Sequence, residues 1–221
     1  MRCVIFDFGG TLDCDGRTWL ERFHPLYAEA GVKTDFEAFR RAFYRADDAL
    51  AARHDLSGAS LEETLLFQVG DVLEILSPQS APKAPQIAGA FLAQSRRCFS
   101  RNRGILERLR GRYALGVVSN FYGNLESVLR SEGLLEFFSV LADSSSVGAQ
   151  KPAPEIFRHA LRALGAPASE CLMVGDSLPR DMRGAEAAGM PHAWLEGAGA
   201  PACCPRGKKL SALTDLEALL A

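Results

Sequence analysis

The chain has 221 residues, enough for one domain or two, and 48% of them are hydrophobic. Its 25 basic and 27 acidic residues leave a net charge of −2, so neither a nucleic-acid footprint nor a strongly acidic tail is expected. The longest stretch without a charged residue, Tyr113 to Leu125, has 13 residues and is too short to span a bilayer, and the apolar run before Asp7 is too short for a signal-peptide core. No membrane partner is expected, and a cytoplasmic location is the default.

The first element is the apolar run Val4-Ile5-Phe6, which stops on Asp7 and is followed by Phe8-Gly9-Gly10-Thr11-Leu12-Asp13. A buried strand has little use for a carboxylate unless it presents that group at its carboxyl edge, where open α/β sheets hold their ligands. The two glycines allow a sharp turn and a close approach of backbone to a bound group. The bland alternative for the segment alone is a strand followed by a polar turn.

Residues 14–97 show no convincing strand. Apolar residues recur there at helical spacing: Trp19, Phe23, Leu26 and Tyr27; Phe36, Phe39 and Phe43; Leu61, Leu65, Leu66 and Val69. Gly31, Ser57-Gly58 and the Pro/Ser/Ala-rich stretch Ser77 to Pro85 punctuate them. A further helix, Ile87 to Cys98, leads back. The spacing predicts a helical insertion after the first strand, with most of its aromatics forming its own core.

Beyond residue 98 helix and strand alternate. A strand from Ala114 closes on Ser119-Asn120, a helix follows around Leu125 to Leu129, and a third strand is predicted at Phe138 to Leu141. Lys151 precedes Pro152-Ala153-Pro154 and the amphipathic run Glu155 to Leu164, closed by Gly165. The strand Cys171 to Val174 closes on Gly175-Asp176, a short helix runs from Asp181 to Ala188, and a fifth strand covers His192 to Leu195. This alternation predicts an α/β fold: a Rossmann-like parallel sheet with helices on both faces and an inserted helical cap. The domain division is 1–13 with 98–221 for the core and 14–97 for the cap.

The six cysteines carry no metal spacing. Cys3 and Cys171 lie in strand-like runs and read as small buried hydrophobes, while Cys14, Cys98, Cys203 and Cys204 show no Cys-x-x-Cys pattern. No role is assigned to them.

The ordered set Asp7, Ser119, Lys151 and Asp176 with Asp181 resembles the haloacid dehalogenase-like hydrolase superfamily, whose members are mostly magnesium-dependent phosphatases. Asp7, Gly10 and Thr11 match its Asp-x-Asp-Gly-Thr motif, Ser119 its second motif, Lys151-Pro152 its third, and Gly175, Asp176 and Asp181 its Gly-Asp-x-x-x-x-Asp motif. The resemblance covers about residues 1–13 and 98–221. It implies a hydrolase acting on a small phosphorylated metabolite through an aspartyl-phosphate on Asp7.

Each residue type suits that chemistry. A carboxylate can act as nucleophile and split one hard step into two. Magnesium wants oxygen ligands and keeps several waters. Asp7 and Asp176 supply carboxylates, the resemblance adds the Gly9 backbone carbonyl, and Asp181 stands beside them to orient a water or Lys151. Lys151 offers a compact positive charge for Asp7 and a phosphoryl oxygen. Ser119, Asn120 and main-chain N–H groups at the start of the helix after Asn120 can donate to phosphate. The bland alternatives are a helix N-cap for Ser119 and a surface charge for Lys151.

Gly9 departs from the family pattern. The resembling phosphatases carry there the Asp that protonates the leaving group and later activates water, and glycine can do neither. Asp13, Asp15, His24, His54 or Asp55 could take over; the substrate could have a leaving group that needs no proton; or the chain could have kept ligand binding and lost turnover. Among relatives lacking this Asp, haloacid dehalogenases also lack the Gly-Asp pair that Gly175 and Asp176 supply here. A phosphonatase needs a cap lysine, for which only Lys33 and Lys83 are available. The substrate and the oligomeric state are not legible, and the cap's polar candidates Arg45, Arg53 and His54 read first as surface residues.

Overall fold

The computed structural model describes residues 1–196 and 207–220, so Cys203 and Cys204 lie outside the described residues. The chain begins with β1 (Cys3–Phe6), followed by α1 (Trp19–Glu29), α2 (Phe36–Arg53), α3 (Leu61–Leu76) and α4 (Ala84–Arg110). Next come β2 (Ala114–Ser119), α5 (Leu125–Ser131), β3 (Val140–Asp143), α6 (Ser144–Val147) and α7 (Pro154–Leu164). The remainder is β4 (Cys171–Gly175), α8 (Arg183–Ala187), β5 (His192–Leu195), β6 (Lys208–Leu210) and α9 (Leu216–Leu220). Among the described residues the sheet has six strands, all parallel, in the order β3-β2-β1-β4-β5-β6.

The sheet is buried from both sides, which explains why its strands read as continuous apolar runs. Along β1 the side chains alternate: Val4 and Phe6 join the core shared with α1 to α5, whereas Cys3 and Ile5 join the core under α7 and α8. Helices on both faces follow directly. Helix ends are held by local chemistry, with capping boxes at Thr18/Glu21 for α1 and Ser60/Glu63 for α3.

The register fixes where functional groups gather. Phe6 pairs with Val117 of β2 and Val174 of β4, so Asp7, Ser119 and Gly175-Asp176 all emerge at one carboxyl edge. From β1 the chain moves outward to β2 and β3, then returns to place β4 on the other flank of β1. The edge beside β1 is therefore the switch point of the sheet, where open α/β folds bind ligands.

Several elements differ from the sequence reading. The third strand runs from Val140 to Asp143 rather than 138–141, because Phe138 ends a short turn and packs edge-on against Phe6. The stretch Pro78–Lys83 is a 3-10 helix running directly into α4, not an open connection. Helix α4 passes through residue 98 without a break, so the division drawn between 97 and 98 falls inside a helix. The region 178–188 splits into a tight turn at Leu178–Met182 and the short α8. Strand β6 has no counterpart in the sequence reading and is only three residues long.

Candidate active site

The site is built at the switch point. Asp7 follows the last residue of β1 and its amide donates to the Val174 carbonyl at 2.9 Å, locking the carboxyl edge of β1 to β4. Gly10 takes φ +85°, a left-handed conformation, and a Cβ there would run into the Asp176 carboxylate. At Gly175 a Cβ would overlap the Asp181 side chain. The absence of side-chain bulk at these two positions lets the acidic groups close in.

Five of the residues singled out in the sequence converge. The Lys151 ammonium pairs with Asp7 Oδ1 at 2.6 Å and with Asp181 Oδ1 at 2.7 Å, and it is almost entirely buried. Ser119 Oγ donates to the same Asp7 Oδ1 at 2.9 Å. Asp181 Oδ2 accepts from the Ser177 amide at 2.9 Å, and Thr11 Oγ1 donates to Asp176 Oδ1 at 3.2 Å. The Asp176 main chain is anchored from β5, whose Trp194 indole donates to its carbonyl at 2.8 Å.

The Asn120 side chain is engaged with the segment that carries Lys151. It brackets the main chain of Lys151, accepting from the amide at 2.7 Å and donating to the carbonyl at 3.1 Å. The helix after Asn120 starts only at Leu125, and three main-chain donors of this segment are engaged locally. Phe121 N–H donates to Ser144 Oγ, while Gly123 and Leu125 N–H both donate to Asp143 Oδ2. Asn120 thus positions Lys151, and the Phe121, Gly123 and Leu125 amides are held by contacts with Asp143 and Ser144 at the end of β3.

The charges are unbalanced. Carboxylate oxygens of Asp7, Asp176 and Asp181 all lie within 4.8 Å of one another and face a single ammonium. Burial would pull the Lys151 pKa down, but the Asp181 and Asp7 charges hold it above its ordinary value. Burial also lifts the Asp181 carboxyl to about 6 against the pull of Lys151. For Asp176, burial together with the Asp7 and Asp181 charges pushes the carboxyl well above the usual carboxylate range. A compact set of hard oxygen donors carrying excess negative charge fits a divalent cation of the magnesium type.

Above these residues lies a cavity of about 310 Å³. Asp7, Gly9, Ser119, Asn120, Lys151 and Asp176 form its floor, and Trp19, Leu20, Phe43, Tyr44 and Asp47 from α1 and α2 line it as well. Tyr122, Pro179 and Arg180 complete the wall. The residues considered as stand-ins at position 9 are elsewhere. Asp13 is fully buried in an ion pair with Arg22 at 2.5 Å, and Asp15 pairs with Arg101 at 2.5 Å. His24 packs against Phe36 and Phe39. His54 stacks on Phe67 and contacts Asp71 at 3.1 Å, with Asp55 beside the separate cleft there. Arg45, Arg53, Lys33 and Lys83 do not line the main cavity. Sequence reasoning missed Trp19, Asp47, Tyr122 and Arg180 as cavity residues; of these only Trp19 carried a signal, its helical spacing, which reports core as readily as cleft.

A parallel sheet carrying an acidic cluster and a buried lysine at its switch point, with helices of the 14–97 segment lining the cavity, defines a Rossmann-like α/β fold with an acidic site at the strand carboxyl edge. The sequence model described as haloacid dehalogenase-like hydrolase matches residues 1–189, and the chain belongs to that family. It is 36% identical over 208 residues to the phosphoserine phosphatase of Thermus thermophilus, covering 88% of this chain and 81% of that protein. It is 40% identical over 97 residues to the glyceraldehyde 3-phosphate phosphatase of Pyrococcus abyssi, 42% of this chain and 40% of that one. A crystal structure of a phosphatase of the same family from Thermococcus onnurineus superimposes with a TM-score of 0.59 at 24% identity, covering all of this chain and 98% of the other, which supports the fold. The protein is an enzyme of the hydrolase class.

Proposed function

We propose that the protein is a magnesium-dependent phosphatase of a small phosphorylated metabolite, acting through an aspartyl-phosphate on Asp7, with residues 14–97 as the cap over the site. The observation that carries this reading is the double hold on Asp7 Oδ1, which receives Lys151 at 2.6 Å and Ser119 at 2.9 Å. Two donors on one oxygen orient the carboxylate. That arrangement, at the floor of the cavity, suits attack on phosphorus. The names of the relatives, a phosphoserine phosphatase and a glyceraldehyde 3-phosphate phosphatase, support a small phosphomonoester as substrate.

In this reading Asp7 attacks phosphorus in line, the bond to the leaving oxygen breaks, and water later releases phosphate and regenerates the carboxylate. Lys151 and Ser119 neutralise and orient the oxygens involved. Asp181 holds the Lys151 ammonium in place, and Asn120 holds its main chain. Asp7, Asp176, Asp181 and the Gly9 carbonyl are the groups that would hold Mg²⁺, which when bound would offset the phosphate charge as it nears the Asp7 carboxylate.

A second reading is a phosphate-ligand or partner-binding protein on the same scaffold, and Gly9 is the feature that favours it. A phosphonatase is less well supported, because neither cap lysine lines the cavity. The test is a panel of phosphate esters, acyl phosphates and phosphonates assayed with and without magnesium. Magnesium-dependent release of phosphate supports the phosphatase, and none from any ester at any pH overturns it.

A further inference from the structure

We propose that Asp47, on cap helix α2, is the catalytic acid and base of this enzyme, taking the role that the residue at position 9 cannot perform. The inference rests on the phosphatase reading above. Three independent observations carry it.

The space over position 9 is crowded. A Cβ on Gly9 would meet Trp19 Nε1 at 3.0 Å, and that indole is tied down by its hydrogen bond to Asp13 at 2.8 Å. A proton donor must therefore approach the leaving group from another wall. Of the carboxylates that line the cavity, Asp7 and Asp176 belong to the acidic floor, and Asp47 is the remaining one among the described residues.

Asp47 is also held in a way that leaves one oxygen for chemistry. Tyr122 Oη and Gln68 Nε2 both donate to Oδ1, the latter at 3.0 Å. Among the described residues no hydrogen bond reaches Oδ2. A half-buried carboxyl with one oxygen fixed and the other free is the arrangement expected of a group that hands over a proton.

Asp47 and the floor are tied to one loop. Ser119, which donates to Asp7, and Tyr122, which donates to Asp47, are three residues apart, so their Cα atoms lie at most about 10 Å from each other. Asp7 and Asp47 line the same cavity of about 310 Å³, so a phosphate monoester bound there with phosphorus against Asp7 directs its leaving oxygen toward the roof. Burial, reinforced by neighbouring Asp48 and opposed by the Tyr122 hydrogen bond and Arg180, lifts the Asp47 carboxyl, which favours the protonated form needed at the start of the cycle.

The proton balance closes. As Asp7 bonds to phosphorus and the phosphorus–leaving-oxygen bond breaks, the Oδ2 proton of Asp47 passes to that oxygen and the alcohol departs. The Asp47 carboxylate then takes a proton from the attacking water, whose oxygen bonds to phosphorus as the Asp7–phosphorus bond breaks. Phosphate leaves, Asp7 is again a carboxylate, and Asp47 is again protonated.

The test compares wild type with Asp47→Asn, which keeps size and the Tyr122 contact, on an aryl and an alkyl phosphate in single-turnover kinetics with magnesium. The expected result is a drop of at least about 10²-fold in alcohol release from the alkyl phosphate and near-normal release from the aryl phosphate, whose leaving group needs little acid. Steady-state turnover of both should fall, since water activation is lost, and the decline in alkyl cleavage as pH rises should vanish. Equal loss for both leaving groups, or undiminished alkyl cleavage, overturns the assignment of Asp47 while leaving the phosphatase reading intact. No release from either ester by wild type overturns that reading and the role of Asp47 with it.

Discussion

The indole of Trp19 covers Gly9: a Cβ added to the glycine would lie 3.0 Å from Nε1. The backbone at Gly9 is ordinary, with φ −75° and ψ 122°, so any residue could adopt it. What excludes a side chain is the occupied space, not the conformation. Glycine at position 9 and tryptophan at position 19 are therefore a matched pair.

Gly9→Asp alone should destabilise the fold by about 1–3 kcal/mol through overpacking. In Gly9→Asp/Trp19→Phe the clash with Nε1 is gone, so the double variant should be more stable than the sum of the single losses by at least about 0.5 kcal/mol. Urea unfolding of the four proteins measures this coupling. Strict additivity would show that the two positions do not constrain each other.

Asp7→Asn should abolish magnesium-dependent hydrolysis of an aryl phosphate, with a loss on the order of 10⁴-fold or more, because a nucleophile has no partial substitute. The folded state should survive, since an amide oxygen can still accept from Lys151 and Ser119. An Asn variant that retains more than a tenth of the activity would refute Asp7 as nucleophile.

The acidic cluster predicts opposite responses to one substitution. Without metal, Asp176→Asn should raise the melting temperature, because it removes a carboxyl that burial and the charges of Asp7 and Asp181 disfavour in its ionised form. With magnesium at about a hundred times its dissociation constant, wild type should gain roughly 2.7 kcal/mol and the variant much less. Thermal unfolding with and without the ion checks both signs.

The raised pKa of Asp47 sets a further sign. A carboxyl titrating higher in the folded than in the unfolded chain contributes stability that is complete below the unfolded value and lost as pH rises through the folded one. Replacing it with Asn should therefore stabilise the protein at pH 7, with the gain fading toward pH 4. Melting temperatures of the two proteins across that window test this; a variant less stable than wild type at pH 7 would contradict it.

Arg22→Met probes the joint between roof and floor. Arg22 on α1 pairs with Asp13 at 2.5 Å and donates to Ser95 of α4 at 2.7 Å, while Asp13 also accepts from Gly10 N–H at 2.6 Å. Leaving Asp13 buried without its cation should cost about 3–5 kcal/mol in denaturant unfolding. A loss below 1 kcal/mol would show that the remaining donors suffice.

Much of this site was visible in the chain because its groups sit at strand ends. Asp7, Ser119 and Gly175-Asp176 each terminate an apolar run, and a parallel sheet brings such terminations to one edge whatever the strand order. Lys151 and Asp181 were legible through their spacing within the set. The hold of the Asn120 side chain on the Lys151 main chain was not visible in the sequence, and the helix after Asn120 begins only at Leu125. Asp47 carried no signal at all: an aspartate in Arg45-Ala46-Asp47-Asp48 looks like the solvated face of a helix.

The linear order of residues determined the strand edges and hence the floor of the site, since backbone pairing repeats along the sheet and turns one-dimensional endings into a shared rim. Which groups of α1 and α2 face that rim was decided only by tertiary packing. The rotation and tilt of a helix over a sheet depend on how its aromatics interlock with their neighbours, here Trp19 against Phe91 and Phe121, and amphipathic spacing says nothing about that partner choice.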